Sequence, residues 1–118
     1  MRQITVIGSG QMGHGIAEVF AINGYSTVIQ DISDEILEKA INKITASLEK
    51  MSQKNYLDGQ SVKEILDRIK TTTDLADAVR DSDLIIEAIP EIEELKIELF
   101  KKLDELTKPD SILTTNTS

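Results

Sequence analysis

Gly8, Gly10 and Gly13 stand at the spacing G-x-G-x-x-G, directly after the apolar run Ile4 to Ile7 and at the start of a helical pattern. Asp31 closes the next apolar run, eighteen residues after Gly13. The chemistry this spacing serves is the holding of a dinucleotide. A first glycine permits the tight strand-to-helix turn, a second lets the backbone approach a pyrophosphate, and a third lets helix and strand pack closely. The pyrophosphate then meets exposed N–H groups at a helix N-terminus, where the helix dipole also favours negative charge. Asp31 offers an acceptor to the adenosine ribose 2′-hydroxyl and repels a 2′-phosphate, which selects NAD over NADP.

These groups need particular elements to position them. Gln3 to Ile7 and Thr27 to Gln30 read as short buried strands, and Met12 to Asn23 carries Ile16, Val19 and Phe20 at helical spacing and stops at Gly24, a residue suited to a left-handed C-cap. Together they form one βαβ unit with a right-handed crossover. A second helix starts after Ser33, a fitting N-cap, with Asp34 and Glu35 complementing the dipole, and runs without Gly or Pro to about Lys54, about 30 Å. Leu37, Ile41, Ile44, Leu48 and Met51 form a seam along it, as on a helix packed against another helix. A further helical pattern opens at Ser61, which has capping-box spacing to Glu64, and continues through Ile65, Leu66 and Ile69. Residues 34 to 69 are therefore expected to form a helical hairpin projecting from the sheet.

Lys70 to Thr72 returns as a strand, Leu75 to Val79 as a brief helix, and Leu84 to Ile89 as a near-continuous apolar strand buried on both faces. Pro90 suits a turn, a helix beginning near Glu91 places Leu95, Leu99, Leu103 and Leu106 on one face, and Ser111 to Thr115 makes a last strand. Alternating strands and helices define an α/β domain with a doubly wound parallel (Rossmann) sheet spanning residues 1 to 118. Ligands of such sheets bind outside the carboxyl ends of the strands. Gly8, Asp31, Pro90 with Glu91, and Asn116 to Ser118 all fall at those ends.

Composition narrows the function classes. A chain of 118 residues supports one core, and with no cysteine it has neither a disulfide framework nor a thiolate metal site; no metal is expected. A net charge of −8 argues against nonspecific binding to nucleic acid or acidic membranes. The first strand starts too early for a signal peptide, and no apolar stretch approaches the roughly 20 residues of a membrane helix. A cytoplasmic protein is the expectation.

Three stretches taken together, Val6 to Ala17 (VIGSGQMGHGIA), Ile86 to Glu91 (IEAIPE) and Leu113 to Ser118 (LTTNTS), resemble the N-terminal domain of the L-3-hydroxyacyl-CoA dehydrogenase family. The resemblance spans essentially the whole chain. It implies reversible oxidation of a 3-hydroxyacyl-CoA to a 3-ketoacyl-CoA with hydride passing to NAD, as in fatty acid β-oxidation. By that resemblance Gly8, Gly10, Gln11, Met12 and Gly13 form the pyrophosphate turn and Asp31 holds the ribose. Ile89, Pro90, Glu91 and Lys96 line the cofactor crevice. Ser118 sits between substrate and nicotinamide, with Asn116 shaping the same loop. Without the resemblance Glu91 and Lys96 read as surface residues, Pro90 as a strand terminator, and Asn116 to Ser118 as a polar loop.

Lys39, Lys43, Lys50 and Lys54 fall within an arc of about 60° on the second helix, with Ser47 beside them. Lysines on exposed helices commonly serve only solvation. The resemblance assigns Ser47 and Lys54, with Ser118, to coenzyme A. The family's general-base histidine, its supporting glutamate, a second asparagine and the helical domain that carries most dimer contacts all follow the Asn-Thr-Ser loop. This chain has one histidine, His14, inside the fingerprint at a variable position. The resemblance thus implies the NAD-binding half of a homo-oligomeric dehydrogenase, with the 118-residue chain lacking turnover by itself. An NAD-dependent dehydrogenase of a free 3-hydroxy acid and a non-catalytic NAD-sensing module are the competing readings.

Overall fold

The computed structural model describes residues 3–89, 93–107 and 111–115. Its elements in chain order are β1 (Gln3–Ile7), α1 (Gln11–Ile22), β2 (Ser26–Gln30), α2 (Asp34–Gln53), α3 (Val62–Leu66), β3 (Ile69–Thr72), α4 (Leu75–Val79), β4 (Leu84–Glu87), α5 (Glu93–Leu106) and β5 (Ile112–Thr115). The strands form one parallel sheet in the order β3-β2-β1-β4-β5. The chain winds outward from β1 in one direction, then returns to build β4 and β5 on the other side. The β1/β4 boundary is therefore the switch point at which such sheets open a binding crevice.

Strand alternation sends neighbouring residues to opposite faces, each of which must be covered. Val6 and Ile29 pack with Ala17 and Ala21 of α1, with Leu37, Ile44 and Leu48 of α2, and with Leu57 and Ile65. Ile7, Val28 and Ile85 pack on the other face with Ala78, Val79 and Leu103. Two helical layers enclose the sheet, as the doubly wound expectation requires. In α5, Leu99 is partly buried, Leu103 fully buried and Leu106 37% exposed, while the side chain of Leu95 and residues 91 and 92 lie outside what the structure describes.

The helix ends follow their local chemistry. The Ser33 hydroxyl accepts from the Ile36 N–H at 3.2 Å, and Ser61 and Glu64 close a capping box. Gly24 takes φ +92° and donates its N–H to the Ala21 carbonyl. The expected hairpin is shorter in its second arm, although α2 and α3 pack together in one cluster. That arm is only the five residues of α3, β3 begins at Ile69, and the seam of α2 closes onto α1 and the sheet as well as onto α3. Asn55 and Asp58, both at positive φ, turn the intervening segment back toward the core, where Leu57 is buried. Gln60 donates to the Ile22 carbonyl, and Arg68 donates to the Ala21 carbonyl and to Gln60, so this segment also caps the end of α1.

Candidate functional site

At the carboxyl edge of the sheet Ile7 stands level with Gln30 on one side and Glu87 on the other, and Glu87 in turn with Thr115. The turn after β1 leaves from the middle of this edge. Gly8 adopts φ +96°, a conformation open to glycine, and a Cβ there would fall 2.9 Å from the Ala88 carbonyl oxygen. A Cβ on Gly13 would fall 1.8 Å from the Gly8 oxygen, so helix and strand meet at a distance only glycine permits. At Gly10 the geometry is the reverse. A Cβ there would meet no atom within 4 Å, so the protein's own packing does not require glycine, and the space above the turn is open.

That open space, beside a helix start that Gly10 leaves without a side-chain cap, fits a pyrophosphate held by backbone N–H groups. Met12, half exposed, lies in the first turn of α1, and the His14 ring donates Nδ1–H to the Gly10 oxygen at 2.8 Å. This histidine braces the turn.

Asp31 is the second pole of the site. Its Oδ2 accepts from the Ser9 N–H at 2.8 Å and from the Ser9 hydroxyl at 2.7 Å, and its Oδ1 accepts from the Ile32 N–H at 2.7 Å. The carboxylate is thus bonded to the glycine turn while remaining partly exposed. On the β4 side the buried Glu87 accepts the Ile89 N–H at 2.7 Å, and the Ala88 N–H donates to the Ile7 carbonyl, which holds residues 88 and 89 against the turn. Gly8, Gly10, Met12, Gly13, Asp31 and Ile89 are thereby brought to one edge. Lys96 lies in the first turn of α5, but its side chain and that of Gln11 are outside the described ones; Pro90, Glu91, Asn116, Thr117 and Ser118 lie outside the described residues altogether.

Ser47 and Lys54 occupy the same flank of α2, two turns apart, with Lys54 exposed at the C-cap. The Ser47 hydroxyl donates to Glu18 of α1 at 2.6 Å, and Glu18 is only 7% exposed. Lys39, Lys43 and Lys50 are exposed, and among the described residues the ion pairs, Lys63 with Asp67 and Arg80 with Asp77, leave the α2 lysines out.

Sequence reasoning missed three residues here: Ser9, Glu18 and Glu87. Ser9 and Glu87 lie inside motifs defined by their glycines and proline. The signal for Glu18 was a carboxylate set beside Ala17 and one turn before Ala21 and Ile22 on the inward face of α1, where a charge needs a partner.

A glycine turn, a helix N-terminus and an acidic residue at the switch point of a doubly wound sheet define a dinucleotide-binding domain. Residues 3–118 match the family described as 3-hydroxyacyl-CoA dehydrogenase, NAD binding domain. The mitochondrial hydroxyacyl-coenzyme A dehydrogenase of Sus scrofa is 39% identical over 123 residues, covering 100% of this chain and 39% of that protein. The 3-hydroxyadipyl-CoA dehydrogenase of Escherichia coli is 42% identical over 118 residues, covering 100% of this chain and 25% of that one. The crystal structure of (S)-3-hydroxybutyryl-CoA dehydrogenase from Ralstonia eutropha superposes with a TM-score of 0.92 at 33% identity, covering 100% of this chain and 41% of the other. The chain belongs to the NAD-binding domain family of the 3-hydroxyacyl-CoA dehydrogenases. It spans a quarter to two-fifths of these relatives.

Proposed function

We propose that this chain is the cofactor-binding half of an enzyme that interconverts L-3-hydroxyacyl-CoA and 3-ketoacyl-CoA. The observation that carries the reading is the Gly8–Gly13 turn at the β1/β4 switch point, open at Gly10 and joined through Ser9 to the Asp31 carboxylate at the end of β2, in a member of this family. When bound, NAD accepts the hydride from the carbon bearing the substrate hydroxyl. The chain's residues bind and orient. Backbone N–H groups at the start of α1 hold the pyrophosphate, Asp31 accepts from the ribose, and Ile89, Pro90, Glu91 and Lys96 line the nicotinamide side. Asn116 and Ser118 present the substrate hydroxyl, and Ser47 and Lys54 hold coenzyme A.

Removal of the hydroxyl proton needs a base, and His14, the one histidine, sits in the first turn of α1, bonded to the Gly10 carbonyl at the pyrophosphate turn and not on the substrate side of the cofactor. The 118-residue chain therefore binds without turning over. Cytoplasmic residence is part of the same proposal, resting on composition; the pig relative is mitochondrial, and cell fractionation tests it.

Calorimetric titration with NADH, then with acetoacetyl-CoA in its presence and absence, tests the reading. Binding of both ligands supports it and assigns the flank of α2 to coenzyme A. NADH binding without a response to acetoacetyl-CoA leaves the substrate class open. No NADH binding overturns the reading for this chain.

A further inference from the structure

Within the NAD-binding reading, on which it rests, we propose that Ser9 is a positioning residue that fixes the Asp31 carboxylate for a ribose diol and thereby sets the preference for NADH over NADPH. Ser9 is 4% exposed, too buried to serve as a principal ligand contact, so its influence must pass through a neighbour. That neighbour is Asp31, whose Oδ2 takes both the N–H and the hydroxyl of Ser9. An ionised carboxyl has about four lone-pair sites, two on each oxygen. Ser9 fills both on Oδ2 and the Ile32 N–H fills one on Oδ1, which leaves Oδ1 to receive a ligand hydroxyl.

Three charge-assisted bonds hold the carboxylate in one orientation, so none of its ordering falls to the ligand. The Ser9 proton is committed to Asp31, and the corner of the crevice offers acceptors and negative charge with no free hydroxyl donor from Ser9. Such a corner takes hydroxyl donors and rejects a phosphate. The backbone of the turn does not depend on this side chain. The Gly8 N–H is bonded to the Gln30 carbonyl at 2.8 Å, and the Gly8 and Gly13 contacts set the path of the chain.

The test is titration of the chain with NADH and with NADPH for the wild type, Ser9→Ala, Ser9→Thr, Asp31→Ala and the Ser9→Ala/Asp31→Ala pair, with thermal melts confirming that each is folded. The expected result is an about tenfold loss of NADH affinity in Ser9→Ala with NADPH unchanged or tighter, recovery in Ser9→Thr, and no added loss from Ser9→Ala once Asp31 is gone. Equal weakening of both nucleotides, or the same loss with and without Asp31, would mean that Ser9 supports only the turn and would overturn the proposal. So would unchanged affinities in Ser9→Ala. Absence of NADH binding by the wild type is a different failure, that of the NAD-binding reading itself, and it removes the Ser9 role with it.

Discussion

The glycine turn and the α2–α3 excursion are built on opposite principles. In the turn, backbone atoms approach so closely that residue identity is dictated: Gly13 lies where a Cβ would stand 1.8 Å from a carbonyl oxygen. In the excursion, side chains do the fixing. Leu37, Ala40, Ile44 and Leu48 bury one stripe of α2, and the opposite flank is free to vary. A region held by backbone contact loses ligand binding when one atom is added. A region held by side-chain burial loses stability when atoms are removed, and its exposed lysines carry no such constraint.

Gly13→Ala should have the largest effect. The methyl must displace the first turn of α1 from β1, and overpacking of this kind destabilises by about 3 kcal/mol while separating the N–H groups from the Gly10 face. NADH binding is expected to vanish even in the folded fraction, as read by calorimetry below the melting transition. Ile44→Ala is the counterpart. Ile44 is fully buried, and truncation leaves a cavity worth about 3 kcal/mol in a core cluster that contains no residue of the Gly8–Gly13 turn. A denaturant melt should shift by that amount with the NADH affinity of the folded protein unchanged. Retained binding in the first variant or lost binding in the second would erase the distinction between the regions.

The same distinction explains what the sequence disclosed. Gly8 and Gly13 were legible because only glycine satisfies the turn's backbone geometry, and Asp31 because it closes the second strand at a fixed spacing from them. The strands were legible because burial on both faces demands apolar runs such as Leu84 to Ile86. The short α3 was not. Its capping box marks a start, but the tertiary bonds from Arg68 and Gln60 to the end of α1 decide where the chain returns to the sheet. The lysine flank was legible as a stripe and silent as a site, because exposure alone imposes no residue type. Ser9 and Glu18 escaped because each acts through a partner distant in sequence, Asp31 and Ser47.

Glu18 provides the smallest and sharpest test of the excursion. Its carboxylate takes the Ser47 proton inside the α1/α2 contact, so Ser47 faces outward with lone pairs only. Under the proposed coenzyme A reading, a hydroxyl in that state would accept from an N–H or O–H of the ligand and has no proton for a phosphate. Glu18→Gln keeps an acceptor oxygen at the same reach and should alter stability by under about 1 kcal/mol, whereas Glu18→Ala leaves the hydroxyl unpaired within the contact and should cost about 1–2 kcal/mol. The ligand readout divides the roles further. Ser47→Ala should weaken coenzyme A and its 3′-dephospho form equally, by about threefold, because the lost bond involves no 3′-phosphate. A loss seen with coenzyme A and absent with the dephospho form would show that Ser47 donates to the phosphate, and that the bond to Glu18 breaks when the ligand arrives.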